Sequence, residues 1–216
     1  MDALTTQQIL DANLKDWRKL PEALHARFNT GTFIAGMEFV NAVGMAAEEA
    51  FHHPDVNLTY GHVDFKLISH DFGNSITQHD IDMARRISQI AHEMGILSDS
   101  SALTVVELAL DSADRATIGP FWAALLSGSA EALNDYDVND VNDQVPLLWF
   151  QDTETHETPR QRFHLDVWVP HDARDARIKA VLAAGGTIVE KSQAPAFVVL
   201  ADPEGNRACI CTMLER

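Results

Sequence analysis

Three histidines are the side chains whose spacing in this chain suggests acid–base chemistry. His52 and His53 stand side by side before Pro54, and His70 follows at the end of an alternating apolar and polar segment. An imidazole with an unperturbed pKa of about 6.5 can both give and take a proton near neutral pH. We therefore expect a pocket in which these histidines exchange protons with a bound molecule.

The elements around the histidines must bring them together. From Phe33 to Ala50, apolar residues recur at three- or four-residue spacing, which predicts a helix that leads straight into His52. Alternating residues on both sides of Gly61 predict two antiparallel strands joined by a tight turn. A further helix is predicted to start around 77–80, after a short loop that follows His70.

The segments before the long helix complete a recognisable pattern. A helix is predicted from Thr5, a short extended piece begins at Trp17, and 24–29 alternates as a half-buried strand does. The resulting order is α-β-β-α-β-β-α. It predicts an α+β fold with a four-stranded antiparallel sheet and helices on one face.

Composition limits the classes of partner and setting. The chain has 216 residues, and 32 acidic residues against 16 basic ones give a formal charge of −16. Nucleic acid and anionic membranes both require a basic surface, so neither is expected as a partner. Cys209 and Cys211 do not form a disulfide framework. No signal peptide or membrane-spanning stretch is visible, so we expect a cytoplasmic protein.

A family resemblance rests on a set of motifs in the first half. The matching residues are Phe51-His52-His53-Pro54, Tyr60, Val63, Ser69-His70 and Asp80-Ile81. In this order they resemble pterin-4a-carbinolamine dehydratase over roughly residues 5–96.

The resemblance implies a hydro-lyase that dehydrates 4a-hydroxytetrahydropterin to quinonoid dihydropterin, with no metal or nucleotide cofactor. It implies that His52, His53 and His70 are catalytic and that Asp80 binds the substrate and helps to orient the site. Loss of water needs an acid for the leaving hydroxyl and a base for the N5 proton, and imidazoles can supply both. Which histidine is the acid stays open.

Simpler interpretations exist for the same residues. The His-His-Pro sequence could end the long helix, with Pro54 enforcing the stop. Thr77 and Asp80 also match a helix capping box. Zinc is another use of three histidines, but no cysteine lies near them and the resemblance is to a metal-free site. His62, His79 and His92 have no counterpart in the family and are expected to be surface or packing residues.

A polar, aperiodic segment, Ser98–Ala102, divides the chain. We predict a dehydratase-like domain over 1–97, a linker over 98–102 and a second domain over 103–216. Two β-α-β-β-β patterns follow the linker. Their predicted strands are 104–110, 130–136, 145–151, 163–169, 187–191, 196–201 and 207–213, with helices around 120–126 and 173–184.

The second half carries its own resemblance. Its matching residues are Leu110-Asp111, Phe121-Trp122, His164-Leu165-Asp166-Val167 and Asp202-Pro203-Glu204-Gly205-Asn206. They look like a glyoxalase-like domain of the vicinal oxygen chelate superfamily over roughly 103–214. In metal-using members, Glu107 and His164 match first-strand ligand positions and Cys209 stands where a glutamate is usual. Because this is half a site, we expect no metal and a packing or hydrogen-bonding role for His164.

The sequence thus predicts a two-domain enzyme that acts on a small pterin, whose second domain has an unidentified ligand. The alternatives are a non-catalytic binding or assembly protein that uses the dehydratase fold for dimerisation, and a small-metabolite enzyme acting through the second domain. By resemblance, members associate through the first domain, so a homodimer or homotetramer is expected.

Overall fold

The chain forms two compact units. The computed structural model describes residues 2–127, 131–138, 146–155, 163–183, 186–201 and 207–215. The first unit comprises Met1–Thr104, Pro170–Ala173 and Met213–Arg216, and the second comprises Val105–Val169 and Arg174–Thr212. Within the described ranges, no helix is long and apolar enough to cross a membrane.

The first unit follows the predicted order of elements. Its helices are α1 (Thr6–Asp11), α2 (Phe33–Ala50) and α3 (Gln78–Glu93), and its strands are β1 (Arg18–Lys19), β2 (Leu24–Asn29), β3 (Asp55–Thr59), β4 (His62–Leu67) and β5 (Leu97–Ser98). The predicted long helix is confirmed. It begins where the Thr32 side chain accepts a hydrogen bond from the Ala35 backbone N–H.

The first sheet is antiparallel with strand order β1-β2-β4-β3, and β5 also pairs with β2. The predicted α+β fold with a four-stranded sheet is therefore confirmed, and β5 is a short addition to it. The turn between β3 and β4 is tight because Gly61 adopts a left-handed φ of 89°.

Alternation along the strands places one apolar face of this sheet against the helices. Trp17, Phe28, Phe39 and Phe65 form an aromatic cluster with ring centroids 5.3–6.5 Å apart. The Trp17 Nε1–H donates to Ser88 Oγ of α3 at 3.1 Å. Residues of α1, α2 and α3 belong to the same core, so the three helices pack on one face of the sheet. This packing fixes where α2 ends and α3 begins.

Within its described residues, the second unit contains one mixed sheet and two helices. Its strands are β6 (Val105–Ser112), β7 (Leu148–Asp152), β8 (Phe163–Trp168), β9 (Thr187–Glu190), β10 (Phe197–Ala201) and β11 (Arg207–Cys211), and its helices are α4 (Arg115–Ser127) and α5 (Arg174–Ala183). The strand order is β7-β6-β8-β11-β10-β9. The β6–β7 and β8–β11 pairs are parallel, and the other pairs are antiparallel.

One predicted strand of the second half is wrong. The described part of 130–136 forms no strand, and its one isolated bridge joins Leu133 to Val138. Asn134 Oδ1 accepts the backbone N–H groups of Tyr136 and Asp137, each at 2.9 Å, so a local side-chain acceptor curls the chain into a turn. The quoted 202–206 motif lies outside the described residues.

The second sheet has two different faces. Leu108, Leu110 and Val167 belong to the apolar clusters that include residues of α4 and α5. Side chains alternate along a strand, so their neighbours occupy the opposite face. We call that opposite face the helix-free face; among its residues are Glu107, Asp111, His164, Asp166, Trp168 and Cys209.

Candidate active site

The end of α2 fixes the position of His52. Phe51 follows the helix with a left-handed φ of 49°, and its N–H bonds back to Ala47 and Glu48 carbonyls. The His52 N–H also donates to the Ala47 carbonyl, at 3.2 Å. The chain therefore leaves the helix through Phe51, and the imidazole of His52 starts from a hydrogen-bonded backbone.

His52 and Asp80 form a hydrogen-bonded pair. His52 Nε2 lies 2.8 Å from Asp80 Oδ1. The Asp80 side chain is completely buried, and that of His52 is 12% exposed. The structure thus joins two of the four predicted site residues directly, although they come from the ends of different elements.

The second oxygen of Asp80 is held by its own surroundings. Oδ2 accepts the Ser69 hydroxyl and the Thr77 backbone N–H, each at 2.7 Å. The Thr77 side chain accepts the N–H of His79 at 3.2 Å and also that of Asp80, so Thr77 and Asp80 form a capping box at the start of α3. Asp80 therefore caps the helix and binds His52 at the same time.

This arrangement selects one tautomer of neutral His52. A carboxylate can only accept hydrogen bonds, so the proton shared with Asp80 Oδ1 comes from His52 Nε2. The other ring nitrogen, Nδ1, then carries the lone pair and is the atom able to take a proton. A fixed carboxylate that orients an imidazole in this way is a common arrangement in acid–base sites.

The other two predicted histidines have different neighbours. His53 Nε2 lies 3.2 Å from Glu48 Oε1, and both side chains are exposed. His70 begins a single 3-10 turn, where its Nδ1 lies 3.1 Å from Asn74 Oδ1, and it is also exposed. Both imidazoles are open to solvent at the ends of the elements that flank His52, and neither bonds to Asp80 among the described hydrogen bonds.

A cavity of about 220 Å³ adjoins His52. It is lined by Ala50, His52, His79, Asp82, Met83 and Arg86. The ring of His79 lies 5.8 Å from the ring of His52. His79 was expected to be a surface or packing residue, and it packs against the histidine that Asp80 orients. Its position directly before Asp80, in the first turn of α3, is the sequence signal that could have indicated this.

The two residues of the second unit that match first-strand ligand positions, Glu107 and His164, have different neighbours. In the register of β6 and β8, Glu107 lies opposite Asp166, and His164 lies opposite Ala109. Glu107 Oε2 accepts a hydrogen bond from Trp168 Nε1. His164 instead lies between two aspartates, with Nδ1 3.8 Å from Asp111 Oδ1 and Nε2 3.7 Å from Asp166 Oδ1.

Comparison with known proteins finds a family match for each part of the chain. The family described as "Pterin 4 alpha carbinolamine dehydratase" matches residues 2–90, and the one described as "Glyoxalase-like domain" matches residues 107–211. A protein of Koribacter versatilis named "Putative pterin-4-alpha-carbinolamine dehydratase" is 41% identical over 78 residues, which are 36% of this chain and 82% of that protein. One of the same name from Natronomonas pharaonis is 36% identical over 90 residues, covering 42% of this chain and 97% of the relative.

A solved structure is also similar. It is titled "Crystal structure of transcriptional coactivator/pterin dehydratase from Brucella Melitensis", is 32% identical, and has a TM-score of 0.40 over 42% of this chain and 99% of that chain. The first family match covers the three histidines and Asp80. The chain therefore belongs to the pterin 4 alpha carbinolamine dehydratase family through its first part and carries a glyoxalase-like domain after it.

Proposed function

We propose that the first unit dehydrates a 4a-hydroxytetrahydropterin to the quinonoid dihydropterin by histidine general acid–base catalysis. The observation that carries the proposal is the pair of His52 with the buried Asp80, in a chain whose relatives are named for this reaction. The pair supplies one imidazole nitrogen with a defined lone pair beside a cavity.

The reaction needs two proton transfers and no change of oxidation state. The N5–H proton goes to a base, a double bond forms between N5 and C4a, and the C4a–O bond breaks. The hydroxyl leaves as water after it takes a proton from an acid. Because atoms and electrons balance within the substrate and two imidazoles, the proposed step needs no cofactor.

Each site residue has a role in the proposal. His52 and His70 exchange the two protons, because one follows α2 and the other follows β4, so they can approach a ligand from different directions. His53, paired with Glu48 on the surface, binds the pterin. Asp80 acts through His52 as a positioning residue, because its side chain is fully buried and both of its oxygens are hydrogen-bonded.

The test is a stopped-flow assay on the full chain with enzymatically generated 4a-hydroxytetrahydropterin. We expect the protein to accelerate the dehydration well above the uncatalysed rate, and a His52→Ala/His70→Ala double variant to lose this acceleration while it keeps its circular dichroism spectrum. A folded double variant with near-normal turnover would disprove the proposal and favour a non-catalytic assembly protein.

A surface feature supports self-association of the same unit. Four apolar residues of α2 lie on one side of the helix and are 39–68% exposed; they form the α2 stripe, which comprises Phe33, Ile34, Met37 and Met45. Phe33, Ile34 and Met37 are neighbours at three- and four-residue spacing, and Met45 lies about two turns further along the same side. We propose that a second copy of this chain covers it, giving a homodimer or a homotetramer built from such dimers.

A further inference from the structure

The helix-free face of the second sheet brings three metal-binding side chains together. They are His164 and Asp166 of β8 and Cys209 of β11, and their ligand atoms all lie within 4.8 Å of one another. Cys209 is the register partner of Asp166, and His164 lies two positions earlier on the same side of β8. We propose that this cluster binds one divalent transition metal ion of the zinc class.

The distances suit such an ion. Zinc bonds of about 2.0–2.3 Å in a tetrahedral arrangement place neighbouring ligand atoms about 3.3–3.8 Å apart. His164 Nε2 and Asp166 Oδ1 are already 3.7 Å apart. All ligand atoms lie within 4.8 Å of one another, so their largest separation exceeds the tetrahedral range by at most about 1 Å, which rotation of the side chains can close.

The donor types select the class of metal. One imidazole nitrogen, one carboxylate oxygen and one thiolate sulfur form a mixed set that suits zinc, cobalt or nickel. Calcium and magnesium require oxygen ligands, so a site built on a thiol and an imidazole disfavours both. Three protein ligands would leave one tetrahedral position for a water or an oxygen atom of a small molecule.

The surroundings of His164 support the assignment independently. Binding through Nε2 leaves the ring proton on Nδ1, and Asp111 Oδ1 lies 3.8 Å from that nitrogen, a separation that a small side-chain rotation can close to a hydrogen bond. Metal-bound histidines commonly direct the second ring nitrogen to a carboxylate of this kind, which fixes the tautomer and the ring. The edge of Trp149 also packs on the ring, at a centroid distance of 5.9 Å.

The ligand set differs from the one that the sequence suggested by one residue. The resemblance matched Glu107, His164 and Cys209 to ligand positions, and the absence of a full set was the reason to expect no metal. Glu107 is occupied by Trp168, whereas Asp166 and Cys209, which are 4% and 9% exposed, lie against His164. The inference is independent of the dehydration, because every residue it uses belongs to the second unit.

The experiment titrates the metal-free full chain with Co²⁺, after dialysis against a chelator. We expect one Co²⁺ per chain, a thiolate-to-cobalt charge-transfer band in the near ultraviolet, quenching of tryptophan fluorescence, and displacement of Co²⁺ by Zn²⁺. Cys209→Ser should abolish the band. Asp111→Asn should keep it and weaken binding by about 10- to 100-fold, the usual effect of removing an outer carboxylate.

Cys211→Ser is the matched control, since this buried thiol lies on the same side of the same strand, opposite Trp168. It should keep both the stoichiometry and the band. Folding of every variant is checked by circular dichroism. If Cys209→Ser does not fold, His164→Gln and Asp166→Asn, which retain the thiol, replace it as the test, and each should lose tight binding. Absence of saturable Co²⁺ binding, a band that survives Cys209→Ser, or unchanged affinity in both thiol-retaining variants would overturn the assignment.

Discussion

Asp80 Oδ1 lies 2.8 Å from His52 Nε2, although the two residues are 28 positions apart in the chain. The other oxygen of the same carboxylate accepts hydrogen bonds from the Ser69 hydroxyl and from the Thr77 backbone N–H at the start of α3. One buried acid therefore links the end of α2, the end of β4 and the start of α3, and it couples the stability of the first unit to the orientation of its histidine.

Asp80→Asn should damage both stability and turnover. The amide keeps the size of the side chain but offers one acceptor atom where the carboxylate uses two, so a buried donor loses its partner. We expect a loss of about 1–3 kcal/mol in the free energy of unfolding and about a hundredfold loss in turnover. Urea denaturation and the stopped-flow assay measure the two effects.

Asp11→Asn is the control for that change, since Asp11 is an exposed aspartate with a hydrogen bond from Gln7. It should leave both quantities within experimental error. Normal turnover of folded Asp80→Asn would show that the carboxylate does not position His52 for catalysis.

Single alanine variants should separate the three histidines. Replacing His52 or His70 should each cost about a hundredfold in turnover, the usual contribution of one positioned proton-transfer group. His53→Ala should mainly raise the Michaelis constant, because its imidazole is placed on the surface with Glu48. The double His52→Ala/His70→Ala loss should be smaller than the product of the single losses if both act in one step.

His92→Ala serves as the control for these variants because His92 is exposed in the last turn of α3. Its kinetics should match those of the unaltered chain. A large turnover loss in His53→Ala, with little change for His70→Ala, would reverse the roles assigned to these two residues.

Phe51→Gly should stabilise the first unit. Phe51 adopts a left-handed φ of 49° and is 88% exposed, so its ring contributes little burial to offset backbone strain. Glycine adopts this conformation without a steric penalty, and we expect the free energy of unfolding to rise by about 0.5–1 kcal/mol. Phe51→Ala removes the ring but keeps the strain, so it should show no gain; a loss of stability in Phe51→Gly would contradict this explanation.

Self-association should depend on the α2 stripe. Ile34 is 68% exposed, and Ile34→Glu places a charge where a second copy would pack, so we expect a smaller species in analytical ultracentrifugation. Leu97→Glu changes an even more exposed residue, at 76%, outside the helix and should leave the assembly intact. An unchanged assembly in Ile34→Glu would exclude the stripe as the interface.

The first domain should fold alone, and its boundary can be measured. Ser98 Oγ donates to Asp16 at 2.6 Å, and the Asp99 N–H donates to the Arg27 carbonyl at 2.8 Å. A fragment of residues 1–104 keeps these bonds and one of residues 1–97 loses them. We propose that both fragments fold, and we expect the shorter one to be less stable by about 1–3 kcal/mol in urea denaturation. If the two fragments have equal free energies of unfolding, the domain boundary lies at residue 97.

The local elements of this protein could be predicted from its sequence. The period of apolar residues from Phe33 to Ala50 indicated α2, and alternation around Gly61 indicated β3 and β4, because burial of one face imposes a regular spacing on nearby residues. The same logic failed at 131–136, where the side chain of Asn134 bonds to the backbone and favours a turn over a strand.

The partners of the functional side chains were decided by the tertiary structure. The sequence placed His52 and Asp80 at the ends of elements but could not show that one carboxylate would bind both a helix start and an imidazole. It likewise matched Glu107, His164 and Cys209 to ligand positions of the second family, but only the packed strands bring Asp166 to His164 and Cys209 and bond Trp168 to Glu107. Periodicity depends on neighbours within one element, whereas these contacts depend on how separate elements are aligned, which only the packed chain determines.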